Sequence, residues 1–253
     1  MQKTDCSHPS SLDPIENNRN KFCGSWTIRG KVEVQSSSVI RFARLGCKKW
    51  SCERCGPKRA TQLRKAITKK AIELGLKRFL TLTLDHKDCT PEQSVVYLRA
   101  CWDKFRTYLK RKHGEAVTYI AILEPQASGH AHLHILVDRY IDQRWISRTW
   151  HTLGGGHRVD IRVVDIHRIS RYLSKYLTKE LLRSAYFTKY RRYTTSRDIH
   201  LFEKPQKGLW ELLKMPLEQV LERIVGEILD AGCSDTGSVE WFHLRDPCPL
   251  QTT

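Results

Sequence analysis

The sequence predicts an α+β fold in which helices flank a central antiparallel sheet. Several short runs alternate apolar and polar residues, the period of a strand with one buried face. Longer stretches between them carry apolar residues at helical spacing. The strand runs also mix threonine and histidine with leucine and isoleucine. That pattern suits a sheet covered on one face, rather than the almost wholly apolar strands of a doubly wound parallel sheet. With 253 residues, the chain is long enough to bury a real core.

In chain order, residues 1–20 are polar and rich in Asn and Ser, and are expected to be poorly ordered. Residues 21–57 form a cysteine-rich region of short strands and turns. From Pro57 onward, Leu63, Ala66, Ile67, Ala71 and Leu74 share one helical face among Lys and Arg, and Gly75 stands where a stop is expected. Phe79–Leu84 alternates as a strand. Thr90-Pro91-Glu92-Gln93 offers an N-cap, a first-turn proline and a capping-box glutamine for a helix burying Leu98, Trp102, Phe105 and Leu109. Strands follow at Val117–Leu123 and His132–Val137, then a short helix over Asp142–Thr152, broken by Gly154–Gly156. Arg158–Val164 is a fourth strand, and His167–Leu182 a further helix. A last amphipathic helix is expected over Pro216–Leu229. The organisation expected is a main domain over 58–208 and an acidic helix and tail over 209–253.

Lys and Arg number 44 against 27 Asp and Glu, a formal net charge of +17. From Leu209 to Thr253, three basic and eight acidic residues leave −5, so the earlier part carries +22. Such an excess points to a polyanionic partner, whose counterions are released on binding. No uninterrupted apolar stretch approaches the ~20 residues of a spanning helix, so no membrane partner is expected. The opening MQKTDCSHPS has no apolar core of a secretory signal. A cytoplasmic location with reduced thiols is expected, and nine cysteines then read as metal ligands or buried thiols rather than a disulfide framework.

The strongest local pattern is Gly129-His130-Ala131-His132-Leu133-His134-Ile135-Leu136-Val137. On a strand, His130, His132 and His134 project together while Leu133 and Ile135 enter the core. Glu124 lies eight residues before His132, and a tight loop over Pro125–Gly129 would return it beside the histidines. Glu124, His132 and His134 would then hold a divalent ion with positions left open. The bland alternative is a solvated polar strand face. In Tyr172-Leu173-Ser174-Lys175-Tyr176-Leu177-Thr178-Lys179, the tyrosines lie about 40° apart around a helix, with Lys175 and Lys179 on a neighbouring face. A phenol with a reference pKa of ~10 needs help to act as a nucleophile, which a metal and a lysine can supply.

Cys47, Cys52 and Cys55, with Cys23 upstream, have the spacing of a tetrahedral structural zinc site; Cys6 and His8 compete for the fourth place, and buried thiols are the plain alternative. Cys89, Cys101, Cys233 and Cys248 show no ligand spacing. Lys189, Tyr190, Arg191, Arg192 and Arg197 mix cations with rings, suiting phosphates and unpaired bases, against the reading of a solvated basic loop. The Gly154–Gly156 run lacks the Lys-Ser/Thr ending of a phosphate loop, so unwinding is expected to come from a partner.

Three blocks in order resemble the HUH endonucleases, initiators of rolling-circle replication: FLTLTLD (Phe79–Asp85), GHAHLHILV (Gly129–Val137) and YLSKYLTK (Tyr172–Lys179). Together they cover residues 79–180. The doubled YxxKYxxK is similar to isometric single-stranded DNA phage initiators, and HxHxH after a cysteine cluster is similar to plasmid initiators. The resemblance implies an RRM/ferredoxin-like nickase domain using Mg²⁺ or Mn²⁺. Tyr176, or Tyr172, would attack an origin phosphodiester, aided by Lys175 and Lys179, leaving a 5′-phosphotyrosine and a free 3′-OH. Glu124 has the spacing of the third metal ligand in several branches, with His130 or Asp85 as substitutes. Related plasmid initiators carry a glutamate where Tyr172 stands, which favours a two-tyrosine scheme. The implied partners are single-stranded or hairpin origin DNA, a host helicase and a DNA polymerase. An HUH-type transposase, or a non-catalytic zinc-dependent regulator that binds nucleic acid, are the competing readings.

Overall fold

The computed structural model describes residues 23–165, 190–202, 208–234 and 237–245. The chain divides into two compact units, one made of Met1–Lys48 with Lys204–Thr253 and the other of Lys49–Glu203. The described residues form an α+β protein with four helices and two five-stranded antiparallel sheets.

In the second unit the elements run α1 (Cys55–Glu73), β3 (Arg78–Leu82), α2 (Ser94–His113), β4 (Tyr119–Pro125), β5 (Ala131–Val137), α3 (Gln143–Thr152), β6 (Val159–Val163) and β7 (Tyr193–Thr195). From β3 to β6 this is strand-helix-strand-strand-helix-strand. The sheet order is β6-β3-β5-β4-β7, and every neighbouring pair is antiparallel. Setting β7 aside, that is the ferredoxin-like arrangement.

Both sheet faces are covered, which corrects the one-sided sheet expected from the mixed strands. On one face Leu80, Leu82, Leu123, Leu133 and Ile135 pack with Leu98, Trp102 and Phe105 of α2 and Ile146 and Trp150 of α3. On the other, Phe79, Ile120, Ile122 and Leu136 meet Leu63, Ile67 and Ala71 of α1. These α1 residues recur every four positions, so they form one stripe. Its cations lie off that stripe.

Two helix starts follow different physics. Asp142 caps α3 as its sequence suggests, accepting from Trp145 N at 2.8 Å. The Thr90 cap expected for α2 does not form, because residues 90–93 close a turn of their own, with Gln93 N donating to Thr90 O at 3.1 Å. The helix begins at Ser94, whose hydroxyl donates to Pro91 O at 2.6 Å and accepts from Ala131 N at 3.0 Å. That second bond pins the start of β5 to α2.

The first unit joins sequence from both ends of the chain. β1 (Thr27–Val34) and β2 (Ser37–Arg44) form a hairpin through Gln35 and Ser36, both at positive φ (49° and 66°), the twist a two-residue hairpin turn needs. β8 (Trp210–Leu213), α4 (Leu217–Arg223), β9 (Ile228–Cys233) and β10 (Val239–Arg245) complete it, in sheet order β8-β1-β2-β10-β9. Phe42 stacks on Phe242 at 5.0 Å, and both pack with Leu217 and Val220 of α4. Arg44 pairs with Glu218 of that helix.

The helix expected over Pro216–Leu229 stops at Arg223, and Ile228 begins a strand. Its apolar spacing competes with Ile228–Cys233 pairing against β10, and Gly226 lies at the break.

Ile67 is fully buried under the sheet. Ile67→Ala is expected to lower unfolding stability by about 2–5 kcal/mol, read as a lower urea midpoint at unchanged slope.

Candidate metal centre and its surroundings

The hairpin register places the ligand-bearing residues. Glu124 pairs directly with His132 across β4 and β5, Ile122 with His134, and Thr81 of β3 with His134 from the other side. Directly opposed residues share a face, so Glu124, His132, His134, Thr81 and Phe79 all project toward the α1 side. The connecting loop turns through Gly129 at φ +83°, a conformation a side chain would strain, and closes with Gln126 N donating to His130 O at 2.8 Å.

Glu124, His132 and His134 each offer a ligand atom, and all three atoms lie within 4.8 Å of one another. Glu124 Oε2 is 2.5 Å from His134 Nε2. On the far side of that ring, Nδ1 lies 3.2 Å from Thr81 Oγ1, and the Phe79 ring stacks on it with centroids 5.4 Å apart. With Nδ1–H given to Thr81, Nε2 keeps its lone pair toward Glu124.

His132 Nε2 is buried without a hydrogen-bond partner. Burial, then the neighbouring His134 and His86, push His132 down to about 3, so its imidazole is neutral around pH 7. An orphaned neutral imidazole nitrogen beside a second imidazole and a carboxylate is a donor set that fits a divalent cation.

His130 does not join them. It precedes the first paired residue of β5. Its Nε2 lies 3.0 Å from Cys89 O and its ring stacks on His86 at 4.2 Å. Asp85 Oδ1 accepts from Lys87 N at 3.2 Å in its own turn, and belongs to neither metal group found among the described residues. Sequence reasoning passed over Thr81 and Phe79, although their alternation within Phe79–Leu84 put both on the histidine face.

Cys23, Cys47, Cys52 and Cys55 form a second group, their sulfur atoms all within 4.8 Å. Backbone N–H groups already point at two of the sulfurs: Cys47 N at Cys23 Sγ and Cys55 N at Cys52 Sγ, each at 3.4 Å. Four convergent thiols are compatible with a metal knuckle near the N-terminus. Cys101, by contrast, is buried in the core and donates to Leu153 O at 3.2 Å.

Tyr172, Lys175, Tyr176, Lys179 and Lys189 lie outside the described residues, as do Cys6, His8 and Cys248. In the basic segment, Arg191 and Arg197 are exposed and Tyr190 is half-buried. Arg192 corrects the expectation of a DNA-contacting cation. It is 1% exposed, lies over the Trp50 ring at 5.7 Å, and burial with the nearby Arg59 lowers its pKa to about 10. Its carbonyl accepts from Leu123 N at 2.8 Å, and this backbone pairing next to β7 draws the side chain inward.

Residues 77–181 match the family model of the ORF2-type replication-associated protein. The stretch opens just before β3 and takes in β5 and the Tyr172–Lys179 block. It marks a replication-associated domain, consistent with a rolling-circle replication initiator. No curated protein and no solved structure matches the chain. Among the described residues, no helix is long and apolar enough to cross a membrane.

Thr81→Val is expected to weaken divalent-metal binding by roughly 10–100-fold, because the His134 ring loses its orienting partner. Titration of free Mn²⁺ by electron paramagnetic resonance checks this; unchanged affinity would mean that Thr81 does not orient the ligand.

Proposed function

We propose that this replication-associated protein initiates rolling-circle replication by nicking and rejoining origin DNA through a tyrosine nucleophile. The observation that carries the reading is the convergence of Glu124, His132 and His134, with a buried unpartnered nitrogen on His132, inside the replication-associated segment. A tyrosine-bearing block follows in that same segment.

In this reaction the phenolic oxygen of Tyr176 attacks the scissile phosphorus. The bond from phosphorus to the 3′ oxygen breaks, the phenolic proton is given up, and the departing 3′ oxygen takes a proton. The 5′ phosphate stays on the protein as a phosphotyrosine ester, and a polymerase extends the free 3′-OH. Energy of the phosphoester is retained, so a later strand transfer recloses the DNA without ATP. Tyr172 performs the second cleavage while Tyr176 holds the first 5′ end. Lys175 and Lys179 supply positive charge to the phosphate.

Glu124, His132 and His134 would hold Mg²⁺ or Mn²⁺, which polarises the scissile phosphate and stabilises its developing charge. Cys23, Cys47, Cys52 and Cys55 would hold a structural Zn²⁺. The substrate is single-stranded or hairpin origin DNA, attracted by the net charge of +17. Because the sequence has no Walker motif, a host helicase opens the duplex.

Tyr176→Phe is expected to abolish the covalent adduct with single-stranded origin DNA and Mn²⁺, while Tyr172→Phe spares the first nick and impairs closure. Mass spectrometry of the peptide left on nicked DNA reads the attacking residue directly. An adduct undiminished in Tyr176→Phe rejects the assignment. One equivalent of zinc is expected to copurify with the chain and to be lost in Cys52→Ser; elemental analysis that finds no zinc in the wild type removes the knuckle.

A further inference from the structure

We infer that the second unit carries a separate single-stranded DNA-binding crevice between α2 and the β7 edge of the sheet. It lies on the sheet face opposite to Glu124, His132 and His134, and takes a nucleotide away from the scissile bond. The inference rests on the reading that the protein handles single-stranded DNA, and is independent of the nicking chemistry.

The crevice has a volume of about 190 Å³ and is lined by Trp102 and Arg99 of α2, Tyr119 and Leu123 of β4, and Arg191 and Thr194 at the sheet edge. Leu123 alternates with Glu124 along β4, which puts the opening on the other face from the metal ligands. A second hollow of about 550 Å³ shares Trp102 and Arg106 with it and continues along α2 to Lys110 and Arg197. Together they form a track with aromatic walls and five cations.

The cations are placed for a ligand rather than for the fold. Among the described residues no carboxylate pairs with Arg99, Lys110, Arg191 or Arg197, and Arg106 pairs only with Asp103 on its own helix. Arg191 lies over the Tyr193 ring at 4.7 Å and Arg106 over Tyr119 at 5.7 Å. Arg99 donates to Arg191 O at 2.8 Å, tying the helix to the segment entering β7. Two lining residues carry buried polar atoms without a hydrogen-bond partner, Trp102 Nε1 and Thr194 Oγ1. Such atoms are rare in a satisfied interior.

Cations spaced along a track with aromatic walls are the chemistry that grips a phosphate backbone while unpaired bases contact rings. A duplex keeps its bases stacked inside and would meet only the rim. The occupant is therefore a single strand, reached from the active face around the β7 edge.

The test uses the full chain, a fluorescent oligothymidylate of roughly 20 nucleotides, and no divalent metal, so that no cleavage is required. The double variant Arg99→Glu with Arg191→Glu is expected to bind more than about tenfold more weakly, with a salt dependence shallower by about two phosphate contacts. Arg99→Lys with Arg191→Lys should retain most of the affinity, and Lys69→Glu on α1, a side chain 78% exposed, should bind as wild type does. Wild-type affinity in the charge-reversed variant, an equal loss in Lys69→Glu, or displacement by polyglutamate as effective as by unlabelled oligothymidylate would each overturn the crevice. Failure of the wild type to form an adduct would strike the nicking reading alone and leave this measurement standing.

Discussion

The register of the β4–β5 hairpin is the constraint from which the candidate site follows. Glu124 opposes His132 because the strands meet at that pairing and no other. A slip of one residue would turn both imidazoles into the cluster around Leu98 and Trp102, where no polar partner waits. Leu133 and Ile135 would leave that cluster at the same time. Burying one such side chain contributes roughly 1.5–3 kcal/mol, so the slipped hairpin loses on both counts. Closure of the loop at Gln126 and His130, and the bond from Ala131 N to Ser94 Oγ, hold the same register from outside the sheet.

The second covered face gives the site its chemistry. α1 seals most of that face with Leu63, Ile67 and Ala71, and polar positions persist beside this core at Thr81, His132 and His134. Partial burial there keeps His132 neutral, the form that can donate a lone pair. His134 is held by Thr81 on one edge, Glu124 on the other and Phe79 across its ring. Ligands on rigid neighbouring strands need little reordering before they bind.

The other unit solves a different problem, which is how two short terminal segments can be stable. Neither the β1–β2 hairpin nor the acidic C-terminal stretch has enough apolar surface to form a core alone. Paired in one sheet, they bury Phe42 and Phe242 under α4. The acidic excess of residues 209–253 thus belongs to a folded element, with Glu218 used to bind Arg44.

Local spacing determined much of this protein in advance. The alternation in Phe79–Leu84 and His132–Val137, the four-residue stripe of α1, the eight residues from Glu124 to His132 and the Cys47-Cys52-Cys55 spacing depend on neighbours a few positions away, so they are legible in the chain itself. Tertiary structure decided what depends on distant partners. It separated His130 from the other two histidines by giving it the Cys89 carbonyl, drew Arg192 inward by its place beside the sheet edge, ended the last helix early by pairing Ile228–Cys233 with β10, and joined the two chain ends in one sheet. In each case a contact between residues remote in sequence outweighed a local preference of a few tenths to about one kcal/mol. Spacing alone carries no record of which remote partner will be there.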